Sequence, residues 1–404
     1  MPSARLTFVA VVAYCVCTLP CRGDERLWVK ATINGKSVRL AFDTGASHSL
    51  LFPKAVERLG LTFTNAPRDV KLEPGESPMG RTEECELALG ETKFKAFFGV
   101  IEVPAMLAWD IDGVLAWKEL SHNTILINAR RGTVNPVSEL PKEAAAWMKL
   151  KLRTNSSLLK LELPSAAGKP SVVFVDTGSS NGAKLPPQKW RTWKAVHQDQ
   201  PSTLDAYYAP ATGLVVAEES WAKELTLGPL VLTDVPVTEA SKAEVAAGSR
   251  EPGDDAAVGP AAYEATLGLA ALKRLDFIID GVGGLAYLLP KKTAAPAYEH
   301  NRLGAVFTPV DMQADDLIAR VADRSPAHGA GIRDGDILLK IGLLDATKWR
   351  TDPTVMPLTQ FWTRRPGTKL ELTLKRGGEI YKANIVLKQI LSAATNAQLK
   401  GGKD

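Results

Sequence analysis

Residues 172–181 read VVFVDTGSSN, and residues 39–48 read RLAFDTGASH. In each stretch, a run of apolar residues typical of a buried strand ends in Asp-Thr-Gly. A carboxyl group at the end of such a strand loses hydration, which is unfavourable unless the group finds a partner. Because this unfavourable motif occurs twice, it indicates a chemical role for Asp43 and Asp176.

The sequence around the two motifs is also repeated, which favours internal duplication over chance. The first copy, LWVKATINGKSVRLAFDTGAS, contains two strand-like runs joined at Asn34-Gly35, a strong hairpin signal. The second copy, SLLKLELPSAAGKPSVVFVDTGSS, has the same layout, and in both a Gly-Lys pair begins eight positions before the Asp. Further along, DGVLAWKEL at 112–120 corresponds to ATLGLAALKRL at 265–275. Residues 241–262, present only in the second copy, are polar and contain Gly and Pro, which predicts a loop insertion.

Each copy resembles a lobe of a retropepsin-type aspartic protease: a hairpin, the Asp-Thr-Gly loop, a flap hairpin, and a hydrophobic-hydrophobic-Gly segment that enters a short helix. The two copies in one chain resemble the two-lobed, pepsin-like plan in compact form, which implies a mainly β fold built from β-barrel-like lobes. The resemblance divides this region into lobe 1 at 26–134, an inter-lobe segment at 135–156 and lobe 2 at 157–290. The first copy departs from the family pattern because Ala116 stands where the second copy has Gly268.

The segments RVADRSPAHGAGIRDGDILLKIG (320–342) and RRPGTKLELTLKRGGEIYKANIVLK (364–388) resemble a bacterial PDZ domain. A chain of 404 residues suggests two or three domains. We expect a linker at 291–301, a PDZ domain at 302–391 and a disordered tail at 392–404. The resemblance implies a groove where an extended peptide adds a strand to the sheet and presents its terminal carboxylate to backbone N–H groups. It assigns this groove to Leu303, Gly304, Ala305, Val306, Leu358, Phe361 and Trp362. The alternative is a PDZ-like domain that only supports the protease region structurally.

The N-terminal residues 1–23 have the pattern of a secretory signal peptide: one early Arg, an apolar run from Leu6 to Leu19, and then small residues. The run is shorter than the roughly 20 residues that a membrane-spanning helix needs. We therefore expect an exported protein, periplasmic or secreted, with membrane attachment only through an uncleaved leader or a lipid anchor. A formal charge of +4 without a basic stripe argues against nucleic acid as a partner. The sequence has neither HExxH nor CxxC, so we expect no metal or other cofactor.

A pair of carboxyl groups can hydrolyse a peptide bond without a metal or a covalent intermediate. Two like charges a few ångström apart cannot both ionise, so the pair holds one proton, as is established for aspartic proteases. One carboxyl then accepts a proton from the attacking water, and the other donates a proton to the peptide carbonyl. The repeated motif predicts Asp43 and Asp176 as this catalytic dyad, with a peptide or protein as substrate.

The residues next to the two carboxyls are predicted to support them. Gly45 and Gly178 allow a tight loop and close approach of the other copy. By the family pattern, Thr44 and Thr177 hydrogen-bond across the lobe interface. Ser179 carries a hydroxyl that can donate a hydrogen bond to a nearby carboxylate.

A flap that covers the dyad would exclude bulk water from the bound peptide. Gly75 lies 32 positions after Asp43 and Tyr208 lies 32 positions after Asp176, each in a segment typical of a hairpin tip. We predict both as flap residues.

Two functions fit these patterns. The first is an aspartic endopeptidase whose PDZ domain binds the C-termini of substrates or partners. The second is a catalytically inactive protease-like scaffold that binds peptides through its PDZ domain. Two intact Asp-Thr-Gly motifs favour the first, whereas Ala116 and the unusual inter-lobe segment at 135–156 support the second. The arrangement of the two carboxyls in space distinguishes them.

Overall fold

The computed structural model describes residues 26–65, 77–102, 111–153, 156–164, 171–209, 213–249, 262–294, 296–311, 314–352 and 354–391. The fold is mainly β. The predicted signal peptide at 1–23 and the predicted tail at 392–404 lie outside the described residues. Within the described part of the chain, no helix is both long enough and apolar enough to cross a membrane.

The first half begins with the predicted hairpin, in which Asn34 and Gly35 both have positive φ, as a tight β-hairpin turn requires. The second strand of this hairpin ends at Asp43 and runs parallel to a strand that ends at Ala116. The elements of this half are β1 (Trp28–Ile33), β2 (Lys36–Asp43), β3 (Leu50–Leu51), α1 (Pro53–Leu59), β4 (Phe63–Asn65), β5 (Ser77–Thr82), β6 (Cys85–Leu89), β7 (Thr92–Ala96), β8 (Gly99–Glu102), β9 (Gly113–Ala116), α2 (Trp117–Leu120), β10 (Thr124–Asn128) and β11 (Thr133–Val137).

The second half places the same local arrangement around its own motif. The strand before Asp176 again runs parallel to a strand that leads into a short helix, with Val175 opposite Leu267. After a 3-10 helix at Lys142–Ala146, the elements are β12 (Met148–Leu152), β13 (Lys160–Leu163), β14 (Ser171–Val175), β15 (Ala183–Leu185), α3 (Pro187–Val196), β16 (Ser202–Ala209), β17 (Gly213–Leu227), β18 (Leu230–Glu239), α4 (Lys242–Ser249), β19 (Ala262–Leu267), α5 (Leu269–Leu272), β20 (Leu275–Asp280) and β21 (Leu285–Pro290).

The two halves are joined by backbone pairing. β10 of the first half pairs antiparallel with β20 of the second, with Ile125 opposite Ile279. Within the predicted inter-lobe segment, β12 pairs antiparallel with both β13 and β21. A hydrophobic core of buried Leu, Val, Ile and Ala side chains runs through both halves. The shared sheet and core hold the two Asp-Thr-Gly loops in a fixed relation.

The insertion at 241–262 contains a helix, so the prediction of a loop is wrong for its first part. Ser241 and Glu244 cap the N-terminus of α4: the Glu244 amide donates to Ser241 Oγ (3.1 Å) and the Ser241 amide donates to Glu244 Oε2 (2.7 Å). This reciprocal pair is a capping box, whose Ser-x-x-Glu signal is present in the sequence. Residues 250–261 lie outside the described residues.

The C-terminal region forms a separate sheet around its own hydrophobic core. The strands pair in the order β22, β23, β24, β26 and β27, which leaves β22 at one edge of this sheet within the described residues. The elements are β22 (Ala305–Thr308), β23 (Ile318–Val321), α6 (Pro326–Gly329), β24 (Ile337–Ile341), β25 (Leu344–Asp345), a 3-10 helix at Ala346–Lys348, α7 (Thr359–Trp362), β26 (Lys369–Arg376) and β27 (Glu379–Val386).

Candidate active site

The two Asp-Thr-Gly loops meet at the interface between the halves. Asp43 and Asp176 are almost completely buried, with 2% and 1% of their surfaces exposed. A Cβ built on Gly45 would lie 2.6 Å from Asp176 Oδ1 and 3.1 Å from Asp43 Oδ1, and one built on Gly178 would lie 2.3 Å from Asp43 Oδ2. The two carboxyls therefore converge, and any side chain at either glycine would collide with them.

Thr44 and Thr177 connect the two loops through a symmetric set of hydrogen bonds. Each amide donates to the other threonine's Oγ1 at 3.0 Å. The Thr44 hydroxyl donates to the carbonyl of Val175 (2.6 Å), and the Thr177 hydroxyl donates to the carbonyl of Phe42 (2.8 Å). Because both threonines are buried and each bond crosses the interface, the pair fixes the carboxyls relative to each other.

Each loop donates one amide hydrogen bond to its own carboxyl: Gly45 N–H donates to Asp43 Oδ1 (2.7 Å) and Gly178 N–H donates to Asp176 Oδ1 (3.0 Å). The surroundings of the two carboxyls nevertheless favour a single shared proton. Burial, together with the neighbouring Asp43, raises the pKa of Asp176 well above that of an ordinary carboxyl. Full ionisation of both carboxyls is therefore disfavoured.

A buried charged cluster behind the second loop was not predicted from the sequence. Lys184 of β15 donates to Glu244 Oε1 of α4 (2.6 Å), and its Nζ lies 4.2 Å from the centre of the Tyr207 ring. The Tyr207 hydroxyl donates to Glu244 Oε2 (3.0 Å). The positive charge of Lys184 lowers the pKa of Asp176, partly offsetting the effects of burial and Asp43. The sequence signal was a lysine where the first copy has Leu51.

The two copies differ where the sequence differs, at Ala116 and Gly268. A Cβ on Gly268 would lie 2.4 Å from the carbonyl oxygen of Asn181, so this loop leaves no space for a methyl group. In the first half, Ala116 is buried, and its amide donates to the Ser49 hydroxyl (3.0 Å). The corresponding Gly268 amide donates instead to the backbone carbonyl of Gly182 (2.8 Å). The first loop thus accommodates the methyl group by using a side-chain acceptor.

Three other residues were predicted near the dyad: Ser179, Tyr208 and Gly75. The Ser179 hydroxyl is buried and has no hydrogen-bond partner among the described residues, so the expected bond to a carboxylate is absent there. The Tyr208 backbone pairs with Leu214 near the end of the β16–β17 hairpin. Gly75 lies outside the described residues.

The predicted groove residues of the C-terminal domain fall into two groups. Val306, Leu358 and Trp362 line a pocket between this domain and the second half. Leu303, Ala305 and Phe361 do not line this pocket; they belong to the core of the C-terminal domain, to which Leu358 and Trp362 also contribute. The amides of Leu303 and Gly304, predicted to bind a carboxylate, both donate to the side-chain oxygen of Asn301, at 3.0 and 3.1 Å.

The pocket is not confined to the C-terminal domain, and we call it the interdomain pocket. From the second half, it is lined by Ser180, Asn181, Leu204, Asp205, Ala206, Leu214 and Glu219; from the connector, by 298–301; and from the C-terminal domain, by 306–309, Met356, Leu358, Thr359, Trp362 and Thr363. Ser180 and Asn181 directly follow the Asp-Thr-Gly-Ser loop at 176–179. The connector at 291–301, predicted only as a linker, therefore contributes to a wall of this pocket.

Comparison with known proteins finds a similarity around the first Asp-Thr-Gly motif. Residues 29–116 match the aspartyl protease family. This stretch of the chain is therefore similar to an aspartyl protease domain. It is 24% identical over 166 residues to DNA damage-inducible protein 1 of Kluyveromyces lactis, an alignment that covers 40% of this chain and 39% of that relative. The match therefore spans about two fifths of that protein's length.

A solved structure is also similar to this chain. The retroviral protease-like domain of Ddi1 from Leishmania major aligns over 98% of its own length and 30% of this chain, with 20% sequence identity and a TM-score of 0.24.

Proposed function

We propose that this protein is an aspartic endopeptidase in which Asp43 and Asp176 act on one water molecule. The observation that carries the proposal is the convergence of two buried carboxyls between Gly45 and Gly178, held by the Thr44–Thr177 bonds. A buried acid pair is unfavourable for folding, so its presence at the junction of two repeated loops favours a chemical role.

The reaction proceeds with one proton held by the pair. The ionised carboxyl accepts a proton from the water, whose oxygen bonds to the peptide carbonyl carbon, while the protonated carboxyl donates its proton to the carbonyl oxygen. The tetrahedral diol then breaks its C–N bond as the nitrogen receives a proton from one carboxyl and a diol hydroxyl gives its proton to the other. This releases an amine and a carboxylic acid and restores the singly protonated pair. The fixed loops hold both carboxyls in position throughout these steps.

Substitution of the carboxyls tests the proposal, because an amide can neither accept the proton of water nor share one. We expect Asp43→Asn and Asp176→Asn each to abolish most hydrolysis of a denatured protein, with the double variant little worse than either single variant. The wild-type activity should follow a bell-shaped pH profile. Near-normal turnover in a folded, contaminant-free single variant would overturn the proposal.

The rival proposal is a catalytically inactive scaffold that binds peptides through a PDZ-like C-terminal domain. Its sequence support is Ala116 and the inter-lobe segment. The first of these weakens because the Ser49 hydroxyl accepts the Ala116 amide while Gly45 stays packed against Asp176. A statine-type inhibitor separates the two functions: it should bind the endopeptidase, and its binding should be lost in Asp43→Asn. Export from the cytoplasm and recognition of protein C-termini stay as proposals drawn from the sequence.

A further inference from the structure

The interdomain pocket is lined both by residues that follow the second Asp-Thr-Gly loop and by an edge strand. Its lining includes Ser180 and Asn181, which follow the loop, and three residues of the strand β22. The lining includes the consecutive residues 306–309. Side chains alternate between the two faces of a strand, so consecutive residues can all line a pocket only when the strand edge faces it. The edge of β22 away from β23 has no paired strand among the described residues, and it lies at this pocket together with β16 and α7.

The end of this groove that would hold a terminal carboxylate is already occupied by a side chain. Asn301 is about nine-tenths buried, and its side-chain oxygen accepts hydrogen bonds from the amides of Leu303 and Gly304. The amide group of Asn301 donates to the carbonyls of Leu204 (2.9 Å) and Ala305 (2.8 Å). The residue thus ties the loop to β16 of the protease region. A peptide carboxylate could reach these two amides only by displacing Asn301.

We propose that the interdomain pocket is an extension of the substrate cleft that binds an internal, extended segment of the polypeptide substrate. The segment adds a strand along the free edge of β22, opposite α7, and continues past Ser180 and Asn181 to the dyad. An extended peptide fits this pocket because a sheet edge recognises peptide backbone. The pocket also reaches the two residues that directly follow the active-site loop, and the amides that could bind a chain end already bind Asn301. This inference rests on the proposed endopeptidase function.

Binding to the inactive full chain tests the inference separately from catalysis. The probe is a mixture of N-acetylated peptides of randomised sequence and about 14 residues, roughly 45 Å when extended, prepared once with free and once with amidated C-termini. Each set is titrated by calorimetry into Asp43→Asn, and bound peptides are identified by mass spectrometry. In a second variant, Thr359→Trp is combined with Asp43→Asn. Thr359 lies on α7 and lines the pocket, so the larger side chain should fill it. Thr373→Trp, on β26 and outside the pocket lining, is the matched control.

We expect free and amidated peptides to bind equally within about twofold. Thr359→Trp should weaken binding of both by about tenfold or more, and Thr373→Trp should leave binding unchanged. A tenfold preference for free C-termini would overturn the inference in favour of terminal recognition. Unchanged binding in Thr359→Trp would also overturn it. If the expected binding pattern holds but the wild-type chain cleaves none of the bound peptides, the pocket inference stands and the endopeptidase proposal fails.

Discussion

The hydroxyl of Ser179 is buried beside the dyad loop without a hydrogen-bond partner among the described residues. A buried polar group left unpaired costs roughly 1–3 kcal/mol. We therefore expect Ser179→Ala to raise the free energy of unfolding by about 1 kcal/mol and to leave the pH dependence of hydrolysis unchanged. Urea unfolding and pH–rate profiles measure the two effects.

The matched control for this prediction is Ser49→Ala. The Ser49 hydroxyl accepts the Ala116 amide, so its removal leaves a buried N–H unpaired and should lower stability by about 1–3 kcal/mol. A loss of stability in Ser179→Ala, or an upward shift of the acidic limb of its profile, would show that the Ser179 hydroxyl bonds to a carboxylate in solution.

Some residue positions follow from the sequence and others do not. Gly45 and Gly178 could be predicted because a tight loop next to a second identical loop leaves room only for hydrogen. The orientation of the Ser179 hydroxyl could not, because a side-chain rotamer depends on neighbours that are distant in sequence. The role of Asn301 was missed for the same reason, since its partners include Leu204 of the other domain.

Ala116, at the C-terminal end of β9, and Gly268, directly after β19, differ in how closely they approach the active-site loops. Gly268 has an ordinary φ of −87°, so alanine there is prevented by contact rather than by backbone conformation. Its methyl group would press on the carbonyls of Asn181 and Ser179, which belong to the active-site loop. We expect Gly268→Ala to lower stability by about 3 kcal/mol or more and to abolish most hydrolysis. Urea unfolding and a peptide cleavage assay measure both.

Ala116→Gly is the reciprocal control. It removes one buried methyl group and adds backbone freedom, which together cost about 1–2 kcal/mol. The loop around Asp43 should keep its position, so most activity should persist. Equal effects of the two substitutions would mean that the second segment lies no closer to its loop than the first.

The helix α4 contributes Glu244 to the buried pair with Lys184, and this pair can be tested by a double-mutant cycle. Removing one partner leaves an uncompensated buried charge, so Lys184→Met and Glu244→Gln should each cost about 3–5 kcal/mol. The double variant should cost much less than the sum of the two. Lys184→Met should also move both limbs of the pH–rate profile upward, because loss of the positive charge makes the dyad harder to ionise.

The half-exposed Lys189, whose Nζ contacts Glu264, provides the control for a charge pair near the surface. Lys189→Met should change stability by less than about 1 kcal/mol and leave the pH–rate profile in place. Additive costs for Lys184 and Glu244, or limbs that do not move in Lys184→Met, would contradict the proposed coupling. The partner of Lys184 could not be predicted from the sequence, because Glu244 reaches it only through the folding of the inserted helix.

For the molecule as a whole, strand patterns and hairpin signals were enough to predict the mainly β fold. The first Asp-Thr-Gly motif and its flanks were enough to predict the similarity of residues 29–116 to aspartyl proteases. The packing of the connector could not. Its composition resembles a linker, yet His300 and Asn301 are buried against other segments. The composition of a segment indicates how polar it is. Whether the segment is buried depends on the surfaces of the two domains that pack against it, and composition does not give these.

Two buried titratable groups connect the C-terminal domain to the second half. Burial, with a contribution from Asp205, raises the pKa of Glu219 to about 8, and Glu219 Oε1 accepts the Tyr298 hydroxyl (2.5 Å). Burial lowers the pKa of His300 to about 4. Its neutral Nε2 accepts the amides of Ile390 and Leu391, both at 3.1 Å. The protonated Glu219 and the neutral His300 are therefore the forms that the folded chain holds.

Glu219 and His300 make the free energy of unfolding depend on pH in opposite directions. Between the ordinary pKa of 4.5 and about 8, the unfolded chain releases the Glu219 proton and the folded chain keeps it, so stability falls as pH rises. Between about 4 and the ordinary 6.5, the unfolded chain binds a proton at His300 and the folded chain does not, so stability falls as pH falls. The two slopes cancel between about 4.5 and 6.5, where the contribution of this pair to stability should be greatest.

Single substitutions should separate the two slopes. Glu219→Gln cannot release a proton and should raise stability at pH 7 by roughly 3 kcal/mol, with no gain near pH 4. His300→Gln keeps an acceptor that cannot be protonated, so it should remove the loss of stability between about pH 6.5 and 4. Calorimetric unfolding of the full chain near pH 4, 5.5 and 8 measures both effects, with the exposed His328→Gln as control. If Glu219→Gln melted at the wild-type temperature near pH 8, Glu219 would be ionised and hydrated in the folded protein, and the interface between the domains would be open to water.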